Sequence, residues 1–570
     1  MLLCGAALVA LGLSVLPYER VKEHVDAFTV DREADVSRAE FDAVVLRLRI
    51  LAVGLLALAA ALALLGRTLD SAVSAVARSW WESARAAPAA LRRWAAHENV
   101  AHLVGFGFVL AVALALRVAF LDVPMRYDEA TTYNNFVSKP LYVGLAHYPQ
   151  PNNHVLHTFL AKVSVTALGS APWAIRLPAL LAGIALVPAT FALARILYGR
   201  SAALLAAALV ATSSTLVEYS TNARGYTLVA LLTIVALIAA TRVLESDSIG
   251  AWAVIVVAAA LGVHAVPVMA YPLGGIVLWL LLSRVAGRAP LRPFLERLGI
   301  CVIAIGTLTA LLYAPVFAAS GIRSVTSNEY VEPTAWGTFL DLLPGHFEDT
   351  LETWGRDLPL VLSVALVIGL VASLMLTPLL SRFPVPPFPA ILVWTLPVLA
   401  VQRVVPFTRV WLFLVPLALA AVAGFYGWLL DRIGGTRALV TAAAAVIAVG
   451  GAWAVLEADS VRESRETGGL LDAPAVASLL ASNVQPGDRI FAWGSETILE
   501  YYLGRLGLDA RPMLYTFEPR PRTFLVVNVL GGQRVEDHLR ELGNPQRELG
   551  PPRLLRSYPS ALVLLMERPA

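Results

Sequence analysis

The chain has 570 residues, of which 58% are hydrophobic and only 15% charged, with a net charge of +3 and a mean hydropathy of +0.69. Soluble globular domains run near half apolar and a quarter charged, so this surplus excludes a soluble enzyme, a disordered chain and a nucleic-acid-binding domain. The apolar residues fall in runs of about 18–22, the length of a helix crossing a hydrocarbon layer, which disfavours the short alternating strands of an outer-membrane barrel.

About thirteen spans are expected, roughly at 1–17, 48–66, 100–121, 176–198, 201–218, 225–243, 250–264, 266–283, 298–318, 358–380, 388–405, 410–430 and 437–456. The first run lacks a basic flank and a small-residue cleavage site, so it reads as a retained helix. Residues 250–283 are too many for one helix and carry His264 and Pro267 near their middle, the pattern of a tight hairpin. Residues 153–169, with His154, His157 and Lys162, read as an interfacial helix. Segment 18–45 is acidic on balance, including Asp31, Glu33 and Asp35. Segment 67–99 carries Arg67, Arg78, Arg85, Arg92 and Arg93, with Trp80, Trp81 and Trp94 as anchors among membrane lipids. Loop 284–297 is basic and loop 320–357 acidic. Placing basic loops inside puts the N-terminus in the cytoplasm and loops 122–175, 219–224 and 320–357 outside, in a multi-pass inner or plasma membrane protein.

After residue 456 the composition turns polar, on the outer side. A helix near 472–483 and strand-like runs at 489–493, 523–529 and 561–566, separated by Gly and Pro pairs, predict a small extracytoplasmic α/β domain. The expected organisation is an extra N-terminal hairpin with an amphipathic linker over 1–99, a helical membrane domain over 100–456 and the α/β domain over 457–570. Cys4 and Cys301 lie in apolar runs and fit neither a disulfide framework nor a metal site.

Ionisable groups near membrane depth are costly and mark function. Those of the outer side fall in few places: Arg126-Tyr127-Asp128-Glu129, then Asn153-His154 and His157, then Glu218, Asn222, Arg224 and Tyr226, then His264, and late Arg403 and Arg409. Each has a bland alternative. An acidic pair in a loop is ordinarily solvated, His154 and His157 can pack or hydrogen-bond, and arginines snorkel to headgroups. Together they bring carboxylates, histidines and arginines to one face. Arginine and histidine suit a leaving phosphate, and one carboxylate can take a proton from an incoming hydroxyl. Aromatics of loop 320–357 (Tyr330, Trp336, Trp354, with His346) fit either a cover over this face or a headgroup-level belt.

The ordered set of Asp128-Glu129, the Pro151-Asn-Asn-His154 segment, Arg176-Leu-Pro, Ala223-Arg224-Gly-Tyr226, His264 and Arg409-Val-Trp resembles the GT-C glycosyltransferases over roughly 100–570. The similar branch is that of protein O-mannosyltransferases, aminoarabinose transferases and lipopolysaccharide-core galacturonosyltransferases. The resemblance implies a GT-C type helical bundle and an inverting transfer from a polyprenyl-phosphate sugar to a hydroxyl of a glycan, lipid or protein. It implies Asp128 as base and Glu129 as organiser of the site, with Arg224, His264 and Arg409 at the donor phosphate; Arg403, on the same outer face, is expected to join them there. Arg126, Tyr127, Asn153, His154, His157 and Tyr226 are the expected substrate contacts. Asn222 stands where relatives often carry an acid, which weakens the case for a divalent metal, and none is predicted. A lipid-precursor transporter would need charged groups along a path through the spans. An inactive envelope scaffold would not need an intact Asp128 and arginine set.

Overall fold

The computed structural model describes residues 2–26, 36–327, 332–464, 466–516, 520–543 and 546–568; the acidic residues 31, 33 and 35 and Tyr330 lie outside them. Eight helices are long and apolar enough to cross a membrane, or up to eleven if each of three bent pairs is one span. Two shorter apolar helices, Ile249–Ala265 and Pro387–Gln402, coincide with further expected runs. A 3-10 turn at Pro267–Met269 breaks the long 250–283 stretch into the expected hairpin. Val155–Leu168 is a short helix.

Helix starts follow local chemistry. Ser37 accepts from the Glu40 amide while the Glu40 carboxylate accepts from the Ser37 amide, a capping box opening Arg38–Leu64. Asn99, Ser248 and Thr436 cap Val100–Ala119, Ile249–Ala265 and Arg437–Ala458 more simply, each side-chain oxygen accepting one backbone N–H of the first turn. The centre of the bundle is built from Pro172–Tyr198, Arg200–Thr212, Tyr226–Ser246 and Val415–Arg432, most of whose alanines are buried. Small side chains let backbones approach closely. At Gly183 a Cβ would meet the Ser220 hydroxyl oxygen at 2.0 Å.

One span is broken on purpose. Arg200–Thr212 and Ser214–Ser220 meet at 62° around Ser213. A break in a span frees backbone carbonyls that must find partners. Arg117, fully buried in Val100–Ala119, supplies them: its guanidinium donates to Ala211 O at 3.0 Å and to Ser220 Oγ at 3.2 Å. The bend carries Glu218 and the turn at 221–224 toward the face where the loops converge.

The tail forms a four-stranded sheet, β1 (Arg489–Phe491), β2 (Arg522–Asn528), β3 (Arg553–Ser557) and β4 (Ala561–Glu567), in the order β1-β2-β4-β3. β1 runs parallel to β2, and β4 antiparallel to both β2 and β3. Alternation along β2 sends Phe524 and Val526 to one core and Leu525 and Val527 to another, so both faces are covered. The helices Ala473–Asn483 and Glu496–Arg505 flank the sheet. Of these elements, β3 and Glu496–Arg505 went unpredicted, since their residues alternate weakly.

The tail docks on the loops that follow Val100–Ala119. The Met125 amide donates to the Tyr502 hydroxyl (2.9 Å), Asn134 Nδ2 to Thr497 O (2.8 Å), and the Tyr501 hydroxyl to Ser170 O (2.7 Å). An isolated bridge pairs Arg126 with Gly469.

Candidate active site

The loop after Val100–Ala119 turns into a short helix, Tyr127–Thr132, continued by a π-helical turn, Tyr133–Val137. Glu129 stands in its first turn, and its Oε2 accepts the Arg126 amide at 2.9 Å. The same carboxylate is gripped by Arg176 (Nε to Oε1 2.8 Å, Nη2 to Oε2 2.6 Å) and by the Ala223 amide at 2.6 Å. Arg176 places its remaining N–H groups on Leu121, Val123 and Pro124 carbonyls. All four acceptor positions of Glu129 and all five donors of Arg176 are therefore used, with both side chains fully buried. Burial alone would raise the Glu129 carboxyl; the Arg176 guanidinium and the hydrogen bonds outweigh it and hold it below the usual carboxylate range.

Locking Glu129 inward leaves its neighbour outward. Asp128 is 20% exposed, and its Oδ2 lies 3.3 Å from Arg409 Nη2 and 4.0 Å from Arg224 Nη2. Arg224 is aimed by Thr132 Oγ1 (3.1 Å) and Asn152 O (2.8 Å). Arg409, opening the 3-10 turn Thr408–Leu414, donates to the Tyr226 hydroxyl at 3.3 Å. Its amide reaches Glu466 Oε1 at 3.1 Å, and a guanidinium N–H reaches Glu466 O at 3.4 Å. The loop pair, the second turn and the late helix thus meet at one carboxylate and two guanidiniums.

The other expected residues divide by role. His154 Nδ1 accepts the Gly225 amide at 2.7 Å and its ring stands edge-on to Tyr226. Burial, then the Arg224 charge, push its imidazole well below its ordinary value, so it is neutral. His157 is fully buried, and among the described residues neither its ring nitrogens nor the amide atoms of buried Asn222 find a hydrogen-bond partner. His264 packs edge-on against Tyr313, with Nδ1 unpartnered. Arg126 ties the Thr221 and Val461 carbonyls together. The Tyr127 amide donates to Gly468 O. Asn153 is committed within its loop, to Gly144 O, His147 O and Thr158 Oγ1. Arg403 stands apart: its guanidinium lies over the Trp336 ring, and its carbonyl holds Thr334. Of loop 320–357, His346 accepts the Trp411 indole N–H at 2.7 Å, and Arg356 pairs with the buried Glu218.

Arg176 belongs to the ordered motif set without an expected role at the site, and Glu466 was not expected there. Arg176 was visible as a charge beginning an apolar run, whereas Glu466 lies in the polar tail, where one more acid carries no signal. Among the described residues no group of three or more His, Cys, Asp or Glu is placed to hold a metal ion.

Residues 151–313 match the family model described as dolichyl-phosphate-mannose-protein mannosyltransferase. No curated protein matches the chain. Among solved structures, the apo form of ArnT from Cupriavidus metallidurans aligns with a TM-score of 0.52 at 14% identity, over 80% of this chain and 97% of that one. The same protein bound to undecaprenyl phosphate aligns with a TM-score of 0.50 at 14% identity, over the same shares. The fold is ArnT-like, a helical bundle in which eight to eleven spans are long and apolar enough to cross a membrane, with a small sheet near its C-terminus.

Proposed function

We propose that the chain is an inverting glycosyltransferase that moves a sugar from a polyprenyl-phosphate donor to an acceptor hydroxyl at the outer face of the inner membrane, with Asp128 as base. The observation that carries this reading is the convergence of Arg224 and Arg409 on the outward-facing Asp128. A family match named for a dolichyl-phosphate sugar, and a protein of the same fold that binds undecaprenyl phosphate, support the lipid-linked donor.

In the resting site Asp128 faces both guanidiniums and offsets one of their two charges. A donor phosphate is a better, bidentate partner for them, and its arrival frees the carboxylate. The acceptor hydroxyl then gives its proton to Asp128 as its oxygen attacks the anomeric carbon. The bond from that carbon to the phosphate oxygen breaks with its electron pair, and Arg224 and Arg409 take up the charge that develops on the leaving phosphate. One displacement inverts the centre. Glu129 is a positioning residue, since its oxygens are fully occupied, and His264 supplements the phosphate site from the neighbouring turn.

The test is Asp128→Asn in the full-length protein. Expression and binding of the donor lipid stay intact, while transfer falls by about 10²–10⁴-fold, the ordinary worth of a general base. Full transfer activity in that variant would overturn the assignment.

A further inference from the structure

The segment ahead of Val100–Ala119 forms a 32-residue helix, Gly66–His97, about 48 Å long. Its arginines at 67, 78, 85 and 92 are spaced 11, 7 and 7 residues apart. At about 100° per residue those spacings gather all four within roughly 40° of helix surface. All four are exposed, and none forms an ion pair among the described residues. Arg85 lies 4.6 Å over the ring of Trp81, itself exposed.

The opposite face carries Leu69, Val73, Val76, Trp80, Leu91 and Trp94. Two of these anchor the helix to the bundle: the Trp80 indole donates to Gly250 O at 3.0 Å, and Trp94 stands edge-on to Phe106 and Phe191. Val73 and Leu91 stay 65% and 62% exposed, so the described residues leave part of the apolar face uncovered.

These contacts locate the helix. Gly250 opens Ile249–Ala265, whose far end bears His264. Phe191 lies near the end of Pro172–Tyr198, whose first turns bear Arg176. Phe106 lies near the start of Val100–Ala119, whose far end leads to Asp128. The helix therefore crosses the ends of three spans remote from Asp128, on the opposite membrane face.

We propose that Gly66–His97 lies in the plane of that face and binds the headgroups of anionic phospholipids through the stripe of Arg67, Arg78, Arg85 and Arg92. An amphipathic helix with arginine on one side and Trp and Leu on the other is suited to the boundary between headgroups and acyl chains. Unneutralised guanidiniums at that depth select a net negative lipid over a zwitterionic one, and their forked donors match a phosphodiester. Trp81, flanking the stripe under Arg85, sits at headgroup level.

The test uses the full-length protein in phosphatidylcholine bilayers, with spin-labelled phosphatidylglycerol or phosphatidylcholine as the probe of lipid held at the protein surface. The unaltered protein holds phosphatidylglycerol preferentially, and the preference weakens with salt. In the triple variant Arg78→Gln, Arg85→Gln, Arg92→Gln the preference falls by about threefold or more, while Arg78→Lys, Arg85→Lys, Arg92→Lys retains it. If the glutamine variant does not fold, Arg85→Gln carries the same test with a proportionately smaller drop. An unchanged preference in the glutamine variants, or equal loss in the lysine variant, overturns the proposal.

Discussion

Replacing Glu129 by Gln probes the bond that turns Asp128 outward. The carboxylate accepts four hydrogen bonds, two from Arg176 and one each from the Arg126 and Ala223 amides, and neither partner of the ion pair touches solvent. Glutamine keeps the shape but turns one acceptor into a donor, and since each oxygen takes two N–H groups, two of the four face another N–H. It also leaves Arg176 buried without its counter-charge. Breaking one side of such a pair costs about 3–5 kcal/mol. The expected result is a marked loss of thermal stability in the detergent-solubilised protein, with transfer reduced further because the 223–224 turn is released. Arg176→Met alone is comparably harmful. The double variant is less so than the sum, with a coupling of at least about 2 kcal/mol. The pH dependence has a definite sign. A carboxyl held below its ordinary value of 4.5 contributes its full stability above that pH and loses it as pH falls through the lowered folded value. Acidification from pH 5 to about 3 therefore destabilises the unaltered protein more than the glutamine variant. Additive single substitutions, or a glutamine variant within about 0.5 kcal/mol of the parent, would refute the reasoning.

His154, kept neutral by burial and by Arg224, gives stability that is complete above its ordinary value of 6.5 and declines below it, by up to about 1.4 kcal/mol per pH unit, because only the unfolded chain takes up the proton. His154→Asn should flatten the melting temperature between pH 7 and about 5, and an unchanged slope would count against the neutral assignment. Gly183→Ala drives a methyl into Ser220 and, through Arg117, into the bend at Ser213. We expect a loss of about 1–3 kcal/mol in thermal stability, and a neutral substitution would mean that the two helices are less closely packed. Tyr502→Phe leaves the Met125 amide without its acceptor. It should cost about 1–3 kcal/mol and lower kcat more than donor binding, and equal losses in both would show that the tail does not set the position of Asp128.

The helical runs were legible because a span must be apolar along its length, and residues 250–283 announced their break through His264 and Pro267. The scarcity of charge made Asp128, Arg224 and Arg409 stand out, and the structure brings these three together. The division of labour between Asp128 and Glu129 was not legible: adjacent acids look alike until Arg176, 47 residues on, claims one of them. Asn153 carries the same lesson in reverse. Its place beside two histidines invited a substrate contact, yet its amide closes its own loop. Arg403 looked equivalent to Arg409, but the carbonyl it offers Thr334 and its place over Trp336 depend on a fold around it that spacing does not encode.

The clasp between the first outer loop and the tail has a consequence for the order of biosynthesis. Arg126 pairs with Gly469, Met125 leans on Tyr502, and Asn528 of β2 reaches back to Gly469 O. β2 gains its antiparallel neighbour only when β4, ending at Glu567, has been made. Asp128 thus emerges from the ribosome well before the scaffold that aims it, which is complete only once β4 has been made. Until then the loop bearing Asp128 is unsupported, and a chain cut short before β4 is left with a loop that has little of the tail to close against.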